Sequence, residues 1–86
     1  MPPDKVAEIR NRLRDAGLRT SIARITLLYI LERSTSPRTI AELLEEAQPT
    51  INDRSTITRV LRDLEDLGFC LRIQSQDESR YVGAKR

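Results

Sequence analysis

The chain has 86 residues, of which 38% are hydrophobic, 33% are charged and only 3% are aromatic. A chain of this length holds one modest core, and the regular spacing of its Leu, Ile and Val residues indicates a folded domain rather than disorder. The longest apolar run, residues 27–31, is far shorter than the roughly 20 residues that cross a bilayer. We therefore expect one domain over residues 1–86, located in the cytoplasm, without a signal peptide or a membrane partner.

The net charge of +2 is small, but the charges are unevenly distributed. Residues 1–24 and 51–62 are net positive, whereas residues 25–50 and 63–76 are net negative. Thirteen of the 15 basic residues are arginine, whose planar guanidinium suits phosphates and guanine edges better than an ammonium does. A coding bias in a GC-rich genome would explain the same preference, so the arginine content alone decides nothing.

Two amphipathic helices are predicted in the first third of the chain. The first begins near Asp4, the expected cap, and stops at Gly17. The second, in "TSIARITLLYILERS", is expected to be capped by Thr20 or Ser21 and to form the spine of the domain. The residues expected to face the core are Val6, Ile9, Leu13, Ile22, Ile25 and Leu28, with Ala23, Leu27 and Leu31 as further members.

A short third helix and a longer fourth helix follow. Thr39 and Glu42 have capping-box spacing ahead of the short helix. The longer helix covers most of "DRSTITRVLRDLEDLG", with Asn52 or Asp53 as its cap and Gly68 at its end. The residues expected to face the core are Ile40, Leu43, Leu44, Ala47, Ile57, Val60, Leu61, Leu64 and Leu67.

After Gly68 the apolar period changes from 3.6 residues to two, which predicts strands. In "FCLRIQS", we expect Phe69, Leu71 and Ile73 to pack on the helices, with Cys70 on the opposite, more exposed side. "QDES" is a polar turn and "RYVG" a short returning strand. The element order predicts a mainly α fold with a small β-hairpin, namely a winged helix-turn-helix with three to four helices and a two-stranded wing.

The polar side of the fourth helix is basic at its start and acidic at its end. In a helix-turn-helix, the second helix lies in the major groove and contacts base edges with its N-terminal half. Arginine can donate twice to guanine, and the helix dipole favours an anion at the N-terminus. The residues of this helix predicted to contact DNA are Arg54, Ser55, Thr56, Thr58, Arg59 and Arg62. Arg72 and Arg80 of the wing are predicted to lie near phosphates.

An ordinary solvated surface is the other interpretation of these arginines. Arg59 with Asp63, and Arg62 with Asp66, have the i,i+4 spacing of helix ion pairs. Exposed pairs of this kind contribute only about 0.2–1 kcal/mol, so a phosphate can replace the carboxylate. The two interpretations differ in whether the guanidinium groups are paired within the fold.

The segments "LRDAGLRTSIARITLLYILE", "TIAELLEE" and "STITRVLRDLEDLGF" resemble the N-terminal winged-helix domain of the ferric uptake regulator (Fur) family. The resemblance spans roughly residues 10–83. It implies a DNA-binding regulator with Arg19 near the minor groove, Arg24 near the DNA backbone and Arg59 on the recognition helix. Otherwise, Arg19 is a solvated charge and Arg24 a member of a surface ion pair. Thr58 stands where the family usually has a tyrosine touching thymine, so that contact is shortened or lost and the family's target sequence does not carry over.

The chain departs from the family at the metal-binding positions. Family members bind metal through histidines, carboxylates and often CxxC pairs, and they dimerise through a following α/β domain. This chain has no histidine, and it has Arg38 and Val82 where the family has a hinge histidine and a wing glutamate. Cys70 alone cannot build a tetrahedral zinc site. We expect no metal and no cofactor here, in either a stand-alone DNA-binding module or a chain cut before the sensor domain.

The sequence contains no set of residues typical of an enzyme active site, so we do not expect an enzyme. Without histidine there is no Ser-His-Asp triad, and three scattered glycines cannot form a phosphate loop. Our first prediction is a DNA-binding module for transcription control, with double-stranded DNA as its partner. Useful affinity would require a homodimer or pairing with a related regulator. The alternative is a winged-helix adaptor or antagonist that contacts another regulator.

Overall fold

The computed structural model describes residues 1–74 and 76–84. Within them the elements are α1 (Pro3–Asp15), α2 (Ile22–Arg33), β1 (Arg38–Thr39), α3 (Ile40–Ala47), α4 (Arg54–Asp66), β2 (Cys70–Gln74) and β3 (Ser79–Gly83). The strands form one antiparallel sheet in the order β1-β3-β2. The predicted mainly α winged helix-turn-helix is confirmed, and β1 adds a third strand to the predicted two. Across the described ranges, no helix is long and apolar enough to span a membrane.

Side-chain caps set the starts of three helices. Ser21 caps α2 by accepting a hydrogen bond from the amide of Arg24. Thr39 and Glu42 form the predicted capping box at α3, each accepting from the other's amide. Asp53 caps α4 and accepts from the third amide after it. These caps fix where α2, α3 and α4 begin.

The start of α1 differs from the prediction, and the glycine stops agree with it. Asp4 is not the cap, because Pro2 occupies that position and Pro3 is the first helical residue. Proline suits this place, where its missing amide proton would have no helical partner. Gly17 and Gly68 have φ angles of 91° and 80°. Only glycine adopts this left-handed conformation readily, so it terminates α1 and α4.

The core lies between the helices and the inner side of the sheet, and α2 supplies the largest share of it, as predicted for the spine. Two residues of the predicted helices that were expected inside are exposed instead. Ile22 is 59% exposed and Leu67 is 41% exposed. Ile22 is the first residue of α2 and Leu67 is the residue that caps the end of α4. The apolar spacing continues to these helix ends, but the neighbouring elements that cover the rest of each helix do not extend that far.

The strand β2 faces the opposite way from the prediction. Phe69 and Cys70 are both buried, whereas Leu71 is 56% and Ile73 43% exposed. The amide of Phe69 donates to the carbonyl of Leu64, so Phe69 belongs to the turn after α4 and the strand begins at Cys70, which is buried while the four residues after it are exposed. The expectation of a partly exposed thiol is therefore wrong. Burial raises the pKa of Cys70 to about 12, which keeps the thiol protonated and unreactive at neutral pH.

Candidate nucleic-acid interface

α4 separates an apolar side from a polar side along its whole length. Its buried residues recur at helical spacing, so the residues between them point outward. The predicted contact residues on the exposed side are Arg54, Ser55, Thr58, Arg59 and Arg62, while Thr56 is partly buried. α4 packs against both α2 and α3, and this packing turns its polar side to solvent.

The hydroxyl groups at the start of α4 are already engaged. Ser55 Oγ donates to Asp53 Oδ2 at 2.5 Å, and Thr56 Oγ1 donates to Asp53 Oδ1 at 2.8 Å. These hydrogen bonds hold the pKa of Asp53 below its usual range, and the one from Ser55 has the largest effect. A phosphate only accepts hydrogen bonds, so Ser55 or Thr56 must release Asp53 before it can donate to one. The two hydroxyls are therefore less available than the sequence suggested.

Four of the predicted contact residues on α4 have no partner among the described residues, and we name them the free face: Arg54, Thr58, Arg59 and Arg62. Their side chains form no hydrogen bond or ion pair with any residue in 1–74 or 76–84. The positive charge of Arg59 also helps to lower the pKa of the Asp53 carboxyl group. The i,i+4 ion pairs of the alternative interpretation are absent within these ranges. Instead, the carboxylate of Asp63 lies 2.8 Å from Nη2 of Arg24.

Arg24 is held inside the protein, whereas Arg19 is exposed. Besides Asp63, the guanidinium of Arg24 donates to the carbonyl of Arg19 through Nη1. Its side chain is only 20% exposed. The structure thus gives Arg24 the ion pair that its sequence context left open, and the pair joins α2 to α4.

The two wing arginines are paired with carboxylates at longer range. Arg72 Nε lies 3.5 Å from Glu65 of α4. Arg80 lies 3.4 Å from Glu78 and 4.0 Å from Glu42. Both guanidinium groups remain substantially exposed, so these pairs are weak and a phosphate can compete with the carboxylates.

The positions that the family resemblance assigns to metal ligands do not fit a metal. Arg38 is a cation that donates to Glu46 of α3, and Val82 is apolar. Within the described ranges, no group of three or more His, Cys, Asp and Glu side chains is arranged to hold a metal ion.

Sequence reasoning missed three features of this surface. It did not find that Asp63 pairs with Arg24, 39 residues earlier in the chain. It also placed Leu71 and Ile73 in the core, although they are exposed. The capping position of Asp53 was visible from the sequence, but the engagement of both following hydroxyls was not. A serine and a threonine two and three residues after a capping aspartate were the available signal.

Comparison with known proteins identifies the fold. No protein-family model and no curated protein matches the chain. Among solved structures, the ferric uptake regulator of Vibrio cholerae matches with a TM-score of 0.78 at 22% identity, over 90% of this chain and 62% of its own. A zinc-bound manganese uptake regulator matches with a TM-score of 0.76 at 26% identity, over 94% and 61%. A MarR-family transcriptional regulator from Silicibacter pomeroyi matches with a TM-score of 0.66 at 27% identity, over 93% and 51%.

The chain thus spans between 51% and 62% of the length of these three structures. The proteins that share its fold are regulators, and the Vibrio cholerae structure is described as having DNA-binding domains. The chain has the fold of the N-terminal DNA-binding domain of ferric uptake regulators.

Proposed function

We propose that the chain is the DNA-binding module of a transcriptional regulator and that it reads the major groove with the free face of α4. The observation that carries this proposal is the unpaired state of Arg59 and Arg62. Both have a carboxylate four residues later on the same helix, yet neither is paired with it in the described ranges. Unpaired guanidinium groups suit guanine edges and phosphates, and a basic side chain donating to guanine is the commonest specific base contact.

The geometry of the free face matches a short stretch of duplex. Arg54, Thr58 and Arg62 follow one another at i,i+4 spacing and lie along one line of the helix, with Arg59 beside it. Eight residues of helix span about 12 Å, which corresponds to about three to four base pairs. Thr58 has room to contact a thymine methyl group or a phosphate, since its hydroxyl is unengaged.

Other arginines supply contacts to the DNA backbone in this proposal. Arg19 is exposed near the start of α2, and Arg72 and Arg80 are held only by long ion pairs that a phosphate can replace. Backbone contacts fix the register of a protein on DNA, whereas base contacts give the sequence preference. One winged helix covers few base pairs, so a second copy or a related regulator is needed on a two-half-site operator.

Selection of bound oligonucleotides from a random pool tests the proposal. The purified 86-residue chain is expected to enrich a short motif or a palindrome of two such motifs. Its affinity should fall steeply with salt, with a logarithmic slope of about −0.9 per neutralised phosphate. A variant carrying both Arg59→Ala and Arg62→Ala should lose the enrichment. Arg10→Ala, which removes an exposed arginine from α1, is the matched control and should keep it. No enrichment by the wild-type chain would refute the proposal.

A second candidate function is a protein adaptor, and the wing favours it. Leu71 and Ile73 are exposed on β2, an edge strand, and Leu71 lies opposite the partly exposed Val82 of β3. An apolar contact of this kind hardly responds to salt. Replacing both exposed residues with serine should abolish binding to a protein partner while leaving oligonucleotide selection intact. Loss of oligonucleotide selection in this variant, with protein binding unchanged, would favour DNA as the partner.

A further inference from the structure

We infer that Arg24 is a positioning residue, which keeps Arg59 free for DNA by occupying the carboxylate of Asp63. The inference rests on the proposed function, because it assigns Arg59 to base contact. It differs from the family resemblance, which implies that Arg24 lies near the DNA backbone. It makes Arg24 act through α4 rather than through a phosphate.

Asp63 is the natural intramolecular partner of Arg59. The two residues lie one turn apart on α4, and residues at i,i+4 on a helix are surface neighbours. Left unoccupied, the Asp63 carboxylate would attract the Arg59 guanidinium and compete with DNA for it. Instead, Asp63 Oδ2 accepts a hydrogen bond from Arg24 Nη2 at 2.8 Å.

The surroundings of Arg24 favour it over Arg59 as the partner of Asp63. Its side chain is 20% exposed and that of Asp63 is 32% exposed, so the pair is partly shielded from water. The second guanidinium nitrogen donates to the carbonyl of Arg19, which fixes the plane of the group. A preorganised, shielded pair is stronger than an exposed pair made by a mobile Arg59 side chain.

The same contacts limit what Arg24 can do for DNA directly. Nη1 and Nη2 both point at acceptors within the protein, and Nε is buried. A phosphate that took the N–H group now facing Asp63 would displace that carboxylate, and Asp63 would then lie beside the phosphate as a repelling negative charge. The guanidinium also links the loop that carries Arg19 to α4, so it sets the spacing between two predicted DNA contacts.

A rescue experiment with the full chain tests this inference. Binding to the selected oligonucleotide and to random DNA is measured for wild type, Arg24→Ala, Asp63→Asn and the double variant. Arg24→Ala should weaken binding to the selected sequence by about 1.4-fold to 2.3-fold, the size of an i,i+4 pair that DNA must first break. Adding Asp63→Asn should restore that loss. Asp63→Asn alone should bind at least as tightly as wild type.

The salt dependence separates a positioning role from a phosphate contact. A positioning residue leaves the logarithmic salt slope unchanged, whereas loss of a phosphate contact reduces it by about 0.9. A reduced slope in Arg24→Ala, with no rescue by Asp63→Asn, would overturn the inference. Asp66→Asn removes a nearby exposed carboxylate and should not rescue Arg24→Ala; if it does, general charge rather than Asp63 is responsible.

An NMR measurement decides the inference without DNA. The Arg59 side-chain Nε–Hε resonance should shift in Arg24→Ala and return towards its original position when Asp63→Asn is added. Asp63→Asn as a single change should leave the Arg59 resonance where it is in wild type. Arg24→Lys keeps a cation beside Asp63 and should resemble wild type, which provides a folded comparison if Arg24→Ala is unstable. An Arg59 resonance that ignores both changes refutes the inference even if DNA selection succeeds, and failed selection alone would refute only the proposed function.

Discussion

The free face of α4 and the wing both expose arginine, but they differ in whether that arginine has a partner. Arg59 and Arg62 are unpaired in the described ranges, whereas Arg72 and Arg80 lie 3.4–4.0 Å from carboxylates. The apolar residues of the two regions also differ. Those of α4 are buried, whereas Leu71 and Ile73 of β2 are exposed. A helix packed along its length separates cationic from apolar residues cleanly. An edge strand covered on one side does not, and for this reason our proposal assigns base contact to α4.

The largest expected effect contrasts the apolar residues of the two regions. Leu64→Ala on α4 should lower the free energy of unfolding by about 2–5 kcal/mol, because Leu64 is fully buried and truncation leaves a cavity. Leu71→Ala on the wing should change it by less than about 0.5 kcal/mol, because that side chain is 56% exposed. Chemical denaturation of both variants measures the difference, and equal losses would contradict the contrast.

The next effect contrasts the arginines of α4 with an arginine elsewhere. Arg59→Ala should weaken binding to the selected sequence by about 1–3 kcal/mol and binding to random DNA much less. Arg10→Ala removes an exposed charge from α1 and should have little effect on either. Fluorescence anisotropy at fixed salt gives both affinities. An equal loss on both DNAs would reduce Arg59 to a phosphate contact.

A smaller effect is expected at the wing. Arg72→Ala should weaken binding about uniformly across sequences and reduce the logarithmic salt slope by about 0.9, as for one lost phosphate contact. Glu65→Gln frees Arg72 from its partner and should instead strengthen binding slightly. Salt titrations of the two variants provide the measurement. A sequence-dependent loss in Arg72→Ala would place base reading in the wing as well.

The smallest effect concerns the start of α4 at low pH. Hydrogen bonds from Ser55 and Thr56 lower the pKa of Asp53 in the folded chain. A lowered folded-state pKa stabilises the fold above the unfolded value of about 3.9, and this stabilisation is lost as pH falls through the folded value. Asp53→Asn keeps a capping side chain without the titrating group. The stability difference between wild type and Asp53→Asn should shrink as the pH falls below about 4; a constant difference would contradict the assignment.

The sequence by itself determined the helices, their order and the two sides of α4. Periodicity and capping are local properties, because residues within a few positions of one another decide them. Thr39 with Glu42 and Gly68 marked helix ends correctly. The exposure of Arg59 and Arg62 also followed from the spacing of the apolar residues between them.

Only the tertiary structure decided which groups meet across the fold. The pairing of β1 with β3 brings Arg38 opposite Tyr81, and no local pattern signals so distant a partner. The phase of β2 depended on Phe69 belonging to a turn rather than to the strand. The partner of Asp63 was decided by how α2 packs on α4, because that packing places Arg24 closer to the carboxylate than Arg59. Sequence periodicity fixes the side of a helix on which a residue lies, whereas long-range packing fixes its neighbour.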